Sequence, residues 1–177
     1  MRHSKGEWVV TTDGDVAVGP DWLTSMLRYA VNPEVKLVCG PVLLRRDSGS
    51  SLLERIVLIE SLALTAIAAA GIRGGSPFFC NGANLSYRRS SFETADGYAG
   101  SERQLTGDDT GLLRKMKPSE VRFVKDKAAL VVAEPASGVS EFFSQRQRWA
   151  SKIPGSLSGN TFLFAVIAWC MNALLLA

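Results

Sequence analysis

Two aspartates separated by one glycine follow a short apolar run near the start of the chain. Residues 8–12 have the pattern of a buried strand, and Asp13 and Asp15 come directly after it. In open α/β sheets, ligands collect at the carboxyl ends of the strands. Two carboxylates at such an end can hold Mg²⁺ or Mn²⁺, which prefer oxygen ligands. The alternative is a polar turn, because Asp-Gly is common in turns.

A second acidic pair, Asp108 and Asp109, stands at the start of a predicted helix over 108–116. An aspartate there can cap the helix, and taken alone this interpretation is favoured. It can also act as a general base that accepts a proton from a nucleophilic hydroxyl. The chain has a single histidine, His3, close to its start. Acid–base chemistry is therefore expected from carboxylates.

A third group lies on a predicted amphipathic helix over 140–152. Gln145, Arg148 and Trp149 have the spacing of one helix face, and Arg146 stands beside them. An arginine suits a pyrophosphate, and an indole suits stacking on a ring. The alternative is an interfacial helix whose basic residues face lipid headgroups. The two interpretations carry equal weight from these residues alone.

The composition is that of one globular domain. Apolar residues make up 46% of the 177 residues and charged residues 21%, so the chain is too apolar for disorder. The net charge is +3, and no basic run is interleaved with aromatic residues, which argues against nucleic acid as a partner. Three scattered cysteines predict neither a disulfide framework nor a zinc site.

Strand and helix patterns alternate along the chain, which predicts an α/β sandwich. The predicted strands are 8–12, 35–43 with a bend at Gly40-Pro41, 85–88, 121–124 and 130–133. The predicted helices are 20–31, 51–70, 108–116 and 140–152, and 93–104 is predicted to be a loop.

Two apolar segments raise the question of a membrane. In the first, charges interrupt the helix pattern so that only 61–72 is charge-free, which is too short to span a bilayer and predicts a buried or interfacial helix. In the second, 161–177, only Asn172 is clearly polar. Its length as a helix is about 25 Å, slightly less than a hydrocarbon core, which predicts the start of a transmembrane helix. The alternative for 161–177 is a core helix.

The order of these motifs resembles that of the processive family 2 glycosyltransferases, which include the cellulose, chitin, hyaluronan and poly-N-acetylglucosamine synthases. The matching segments are Asp-Gly-Asp at 13–15, Gly-Asp-Asp at 107–109 and Gln-Arg-Gln-Arg-Trp at 145–149, followed by the apolar span. Phe-Phe-Cys-Asn-Gly at 78–82 is similar to the family's acceptor-contacting segment, with Asn81 as an additional residue.

The resemblance implies a partial GT-A fold, a Rossmann-like sandwich of nucleotide-diphospho-sugar transferases, followed by the start of a transmembrane helix. It divides the chain into the carboxyl-terminal part of the catalytic domain (1–138), an amphipathic interface helix (139–156) and a truncated transmembrane helix (157–177). The family's nucleobase-binding unit is expected to precede residue 1. Residues 1–177 alone are therefore expected to bind a donor poorly and to be inactive.

The resemblance also implies roles for individual residues. Asp13 and Asp15 are implied as metal ligands, with Asp13 also near the nucleotide. Asp109 is implied as the catalytic base, supported by Asp108. Donor diphosphate binding is implied for Asp13, Arg146 and Arg148. Acceptor binding is implied for Phe79, Cys80, Asn81, Gln145 and Trp149.

The implied function is that of an inverting glycosyltransferase acting in polysaccharide synthesis at the inner or plasma membrane, with a cytoplasmic catalytic domain. The expected cofactor is a divalent metal, Mg²⁺ or Mn²⁺. The expected partners are a nucleotide-sugar donor, above all a UDP-sugar, a glycan or lipid-linked acceptor and membrane lipid. Alternatives are a non-processive single-sugar transferase and a non-catalytic membrane-associated subunit that keeps the fold. A metal-dependent phosphotransferase is disfavoured, because the chain has no Gly-rich phosphate loop.

Overall fold

The computed structural model describes residues 5–45, 52–99, 108–135, 140–141 and 144–145. Two β-sheets form the centre of this described part. A four-stranded sheet has the order β1-β5-β3-β6, and a three-stranded sheet has the order β2-β7-β4. The strands are β1 (Trp8–Thr11), β2 (Val16–Val18), β3 (Leu37–Cys39), β4 (Val42–Leu44), β5 (Leu85–Arg88), β6 (Val121–Phe123) and β7 (Val131–Ala133).

The four-stranded sheet has one edge at which three carboxyl ends meet. β5 pairs antiparallel with both β1 and β3, and β3 pairs parallel with β6, so β1, β3 and β6 run in the same direction. The register aligns the last residues of these strands, Thr11, Cys39 and Phe123, with Leu85, the first residue of β5. We call this row the carboxyl edge of the sheet.

Helices cover both faces of this sheet. They are α1 (Trp22–Leu27), α2 (Leu52–Arg73), α3 (Arg89–Thr94) and α4 (Asp108–Lys115). Side chains alternate along β3, so Leu37 joins a core with residues of α2 and α4, whereas Val38 joins a second core with Met26 of α1. All three residues of β3 are buried, as expected for a strand covered on both sides. The predicted α/β class is therefore confirmed.

The predicted strand over 35–43 is in fact two strands that belong to different sheets. The chain bends at Gly40-Pro41, where the Gly40 N–H donates to the Asn84 carbonyl (2.9 Å). A Cβ at Gly40 would overlap the Asn84 side-chain amide, so only glycine fits here without a shift. Two elements were missed by the sequence patterns. These are the three-residue strand β2, which begins directly after the predicted acidic turn, and α3, which overlaps the predicted loop.

Asn84 joins the two sheets through a fully buried side chain. Its Oδ1 accepts from Trp22 Nε1 (3.0 Å), and its Nδ2 donates to the carbonyls of Pro41 (2.8 Å) and Ala129 (2.7 Å). Pro41 lies between β3 and β4, and Ala129 ends the 3₁₀ turn before β7. One amide thus holds α1, the crossing between the sheets and the approach to β7.

Helix α2 covers the edge strand of the smaller sheet. The Leu44 N–H donates to Ser61 Oγ (3.2 Å), and Thr65 Oγ1 donates to the Val42 carbonyl (2.8 Å). These two hydroxyls pair backbone groups that an edge strand otherwise presents to solvent. Glu54–Arg73 is long and apolar enough to cross a membrane, a test that core helices of soluble proteins also pass. Because one of its faces packs on β4, the structure favours the predicted buried or interfacial helix.

The contact between Gly40 and Asn84 predicts strongly coupled substitutions. Asn84→Ala is expected to lower the free energy of unfolding by about 3 kcal/mol, because it leaves several buried polar groups without partners. Gly40→Ala alone is also expected to destabilise the fold, since its methyl group overlaps the Asn84 amide. The double variant should lose less stability than the sum of the losses in the two single variants, by about 1 kcal/mol or more. The reason is that the shortened side chain at position 84 makes room for the methyl group at position 40.

The check is urea unfolding followed by tryptophan fluorescence. Gly19→Ala is the matched control, because a Cβ at Gly19 would meet no atom within 4 Å. Strict additivity of Gly40→Ala and Asn84→Ala would contradict the arrangement.

Candidate active site

The acidic turn predicted at 13–15 lies directly beyond the carboxyl edge of the four-stranded sheet. β1 ends at Thr11, and β2 of the other sheet begins at Val16. Asp13 and Asp15 are both exposed in the intervening link. The structure therefore places these two carboxylates where the sequence predicted them, at a strand end that is open to a ligand.

Asp109 lies in the first turn of α4 and is partly buried. Its Oδ2 accepts from the Gly82 N–H (2.8 Å), and its Oδ1 accepts from the N–H of Thr110 (2.7 Å). Asp108 is the first residue of the same helix. The carboxylate of Asp109 is thus held by a backbone group from a distant part of the chain, in addition to a local contact within its own helix.

Gly82 connects Asp109 with the end of β1. Thr11 Oγ1 donates to the Gly82 carbonyl (2.8 Å), while the N–H of the same glycine donates to Asp109. Thr11 Oγ1 also lies 3.3 Å from the Leu85 carbonyl. A strand that leads into the first acidic turn and a helix that carries the second acidic pair therefore meet at a single residue. We call Thr11, Gly82 and Asp109 the glycine bridge.

A short capped turn presents Gly82 to both partners. The Asn81 side chain accepts from the Ala83 N–H (3.0 Å), and the Asn81 carbonyl accepts from the Asn84 N–H (3.0 Å). These contacts form the 3₁₀ turn Gly82–Asn84. A Cβ on Gly82 would stand 3.4 Å from Asp109 Oδ2, at ordinary contact distance. The turn thus brings its backbone close to the carboxylate without a side chain between them.

The other residues of the predicted acceptor segment are placed differently. Phe79 is partly buried, and Cys80 is 2% exposed within the main core. The thiol of Cys80 therefore packs with apolar side chains of the core. The predicted roles of Phe79, Cys80 and Asn81 in acceptor binding stay predictions, and for Asn81 the structure shows a capping role in the turn.

The third predicted motif is only partly within the described residues. Gln145 is helical and partly buried. Arg146, Arg148 and Trp149 lie outside the described residues, so their predicted positions near the donor and acceptor stay predictions.

The carboxylates of the first acidic turn fit a divalent cation that takes some of its ligands from the protein and the others from a substrate. Asp13 and Asp15 offer carboxylate oxygens, the ligand type that Mg²⁺ and Mn²⁺ prefer. Among the residues described, no three or more His, Cys, Asp or Glu side chains come together as a metal site. A pair of exposed carboxylates suits a cation that completes its coordination with diphosphate oxygens and water.

A cleft of about 370 Å³ lies away from the carboxyl edge, where β3 and β6 begin. Three lysines line it, Lys36, Lys115 and Lys117, and the ammonium groups of the first two already have partners. Lys36 Nζ pairs with Glu120 (2.6 Å) and lowers the pKa of that carboxyl, and Lys115 Nζ donates to three backbone carbonyls after α3. These two cations have little capacity left for a phosphate. The glycine bridge and the acidic turn, which lie at the carboxyl edge of the sheet, are therefore the better candidate for the active site.

The mixed α/β architecture, with acidic turns beyond a carboxyl edge, is compatible with a partial GT-A-like fold of nucleotide-sugar transferases. A family model described as glycosyl transferase family 21 matches residues 1–177, and the chain belongs to this family. The predicted glycosyltransferase class is confirmed, but the match is to family 21 and gives no support to the processive family 2 subtype. A comparison with curated proteins finds no match.

The glycine bridge predicts an effect of Thr11 on turnover. Thr11→Val is expected to reduce kcat by about tenfold, because the Gly82 turn loses its anchor and a small misplacement of a catalytic group costs this much or more. The same change should lower the free energy of unfolding by about 1 kcal/mol through the lost hydrogen bond. Donor KM should change little, since Thr11 is not expected to contact the donor.

Thr11→Ser is the matched control, because it keeps the hydroxyl that donates to Gly82. Sugar transfer and unfolding are measured on both variants of the full-length protein. Equal kcat in the Val and Ser variants would contradict a positioning role for Thr11.

Proposed function

We propose that this chain carries the catalytic centre of an inverting glycosyltransferase. The enzyme moves a sugar from a nucleotide-diphosphate donor, above all a UDP-sugar, to the hydroxyl of a glycan or lipid-linked acceptor at a membrane. The observation that carries the proposal is the glycine bridge, which ties Asp109 to the strand that leads into Asp13 and Asp15. Membership of glycosyl transferase family 21 supports the transferase class.

Asp109 is proposed as the general base. Each carboxylate oxygen has about two acceptor positions, and the backbone N–H groups of Gly82 and Thr110 use one on each oxygen. Acceptor positions therefore remain for a substrate proton, while the carboxylate itself is held in one orientation. Asp109 takes the proton of the acceptor hydroxyl, and that oxygen forms a bond to the anomeric carbon. Asp108 is proposed to support Asp109.

The donor diphosphate is the leaving group in this reaction. The bond between the anomeric carbon and the diphosphate oxygen breaks as the acceptor oxygen attacks from the opposite face, so the anomeric configuration inverts. Asp13 and Asp15 are proposed to hold a divalent cation, which when bound neutralises charge on the leaving diphosphate. Arg146 and Arg148 are proposed to act on the same charge.

The acceptor side and the cellular setting are proposed from the sequence motifs. Gln145 and Trp149, with the segment at 79–81, are proposed to border the acceptor. Residues 157–177 are proposed to enter the membrane, with the catalytic domain in the cytoplasm, where nucleotide sugars are made. Product length, read by mass spectrometry, separates a processive enzyme from one that adds a single sugar.

A non-catalytic subunit with the same fold is the competing function, and Asp109→Asn separates the two. We expect release of UDP from UDP-sugars by the full-length protein, and a fall of about 10²-fold or more in Asp109→Asn, the loss typical of a removed general base. Donor KM should stay within a few-fold of the parent value.

Glu34→Gln is the control for this measurement, because Glu34 is exposed and lies outside the proposed site. A parent protein that releases no UDP from any donor, or an Asp109→Asn variant with full turnover, would exclude Asp109 as the base.

The proposed cation site predicts a second, separate dependence. Asp15→Asn should raise the Mn²⁺ concentration for half-maximal activity by about tenfold or more. Loss of a residue that only supports a metal ligand already lowers metal affinity by about tenfold, and loss of a ligand itself should cost at least as much. Asp21→Asn is the matched control, since Asp21 is a nearby exposed aspartate whose side chain caps no helix. An unchanged Mn²⁺ requirement in Asp15→Asn would show that Asp15 is not a ligand.

A further inference from the structure

The outward face of α2 is a continuous stripe of exposed residues. Every member lies three or four positions after the one before it, so all fall on one side of the helix. The exposed residues are Leu52, Arg55, Ile59, Leu62, Ala66, Ala70 and Arg73. We call this set the outer stripe. Its three large apolar side chains, Leu52, Ile59 and Leu62, are 70%, 42% and 47% exposed.

The opposite face of α2 is fixed to the protein. Ser61 and Thr65 bond to β4, and Ile56 and Val57 are buried. Since these contacts define which side of the helix meets the sheets, rotation cannot bury the outer stripe without breaking them. The stripe therefore presents apolar surface that the described part of the protein leaves uncovered.

The stripe has two charged residues, one near its start, directly after Leu52, and one at its end. Arg55 and Arg73 are eighteen positions apart, which is about 27 Å along a helix. Between them the stripe has only apolar residues. The two acidic residues of this region, Glu54 and Glu60, are partly buried and lie to the sides of the stripe. A helix that lies flat at a membrane interface can place such an apolar band against the acyl chains, while the two arginine stems lie along the apolar surface and their guanidinium groups stay among the headgroups.

We propose that the outer stripe lies on the surface of a lipid bilayer with anionic headgroups, with α2 parallel to the membrane plane. Ile59 and Leu62 enter the boundary between headgroups and acyl chains, and the arginines at both ends meet lipid phosphates. This contact stands apart from the catalytic assignment of Asp109. It also accords with the sequence-based expectation that 157–177 enters the same membrane.

Charge complementarity favours lipid over two protein occupants. The chain's own apolar segment over 153–177 has no charged residue, so it offers no counter-charge to Arg55 or Arg73. In an antiparallel pair with a second copy, Arg55 of one helix would face Arg73 of the other. In a parallel pair each arginine would face the same arginine of the second copy. In both arrangements positive charges would face each other. Anionic headgroups supply the opposite charge at both ends.

The test places an environment-sensitive nitrobenzoxadiazole label at Leu62→Cys of the full-length protein, in which Cys170 and any cysteine outside residues 1–177 are replaced by serine. Cys39 and Cys80 are buried and therefore shielded from labelling. Val31→Cys is the control, because Val31 is 89% exposed and lies beyond α1. The labelled proteins are added to vesicles of phosphatidylcholine and phosphatidylserine that contain nitroxide-labelled lipid, which quenches the label only on contact.

We expect quenching of at least about twofold at position 62 and little at position 31. Quenching should weaken when phosphatidylserine is omitted and in the Arg55→Gln/Arg73→Gln double variant. Ile59→Cys serves as a second probe if the label at position 62 disturbs folding, as judged by circular dichroism.

Two results would overturn the proposal. If the label at positions 59 and 62 reports an apolar environment but is not quenched, protein covers the stripe. The covering protein is a second copy if the effect depends on protein concentration, and otherwise the segment 153–177. A label as water-exposed as that at position 31 would show that nothing covers it. Release of UDP in detergent is measured on the same samples, so a failure of the proposed function is seen separately.

Discussion

The buried side-chain amide of Asn84 connects the two sheets through three hydrogen bonds. Two separate sheets of three and four short strands need a connection that fixes their relative position, and apolar contacts alone are not directional. The amide supplies direction because it accepts from the Trp22 indole and donates to the carbonyls of Pro41 and Ala129. A buried polar group with all its partners in place specifies one arrangement, whereas an unpaired one is costly. Gly40 leaves the space that this amide occupies.

The same turn that ends in Asn84 also positions the proposed chemistry. Gly82 lies two residues earlier, and its backbone binds Thr11 on one side and Asp109 on the other. The fold and the candidate site therefore share one short segment, residues 81–84. This explains how aspartates almost a hundred positions apart in the sequence are brought to one edge of a sheet. It also means that changes near Asn84 should affect stability and turnover together.

Much of this architecture could be predicted from the sequence, since apolar runs and helix periodicity depend on local residues. The strand before Asp13, the strand Leu85–Arg88 and the helix that begins at Asp108 were predicted almost at their observed bounds. The split of 35–43 between two sheets was not, because only the partners Asn84 and Val131 reveal it. Gly82 and Thr11 were missed as site residues for the same reason. A threonine at a strand end is a visible signal, but its partner lies 71 positions away.

The two acidic segments are proposed to act at one site, Asp13 and Asp15 on the donor diphosphate through a divalent cation and Asp109 on the acceptor hydroxyl. The most direct measurement is an experimental structure of the full-length protein with UDP and Mn²⁺ bound. We expect the metal on Asp13 and Asp15, and the Asp109 carboxylate across the sugar site with its Gly82 contact kept. A diphosphate bound elsewhere, or an Asp109 carboxylate walled off from the donor by protein, would contradict it.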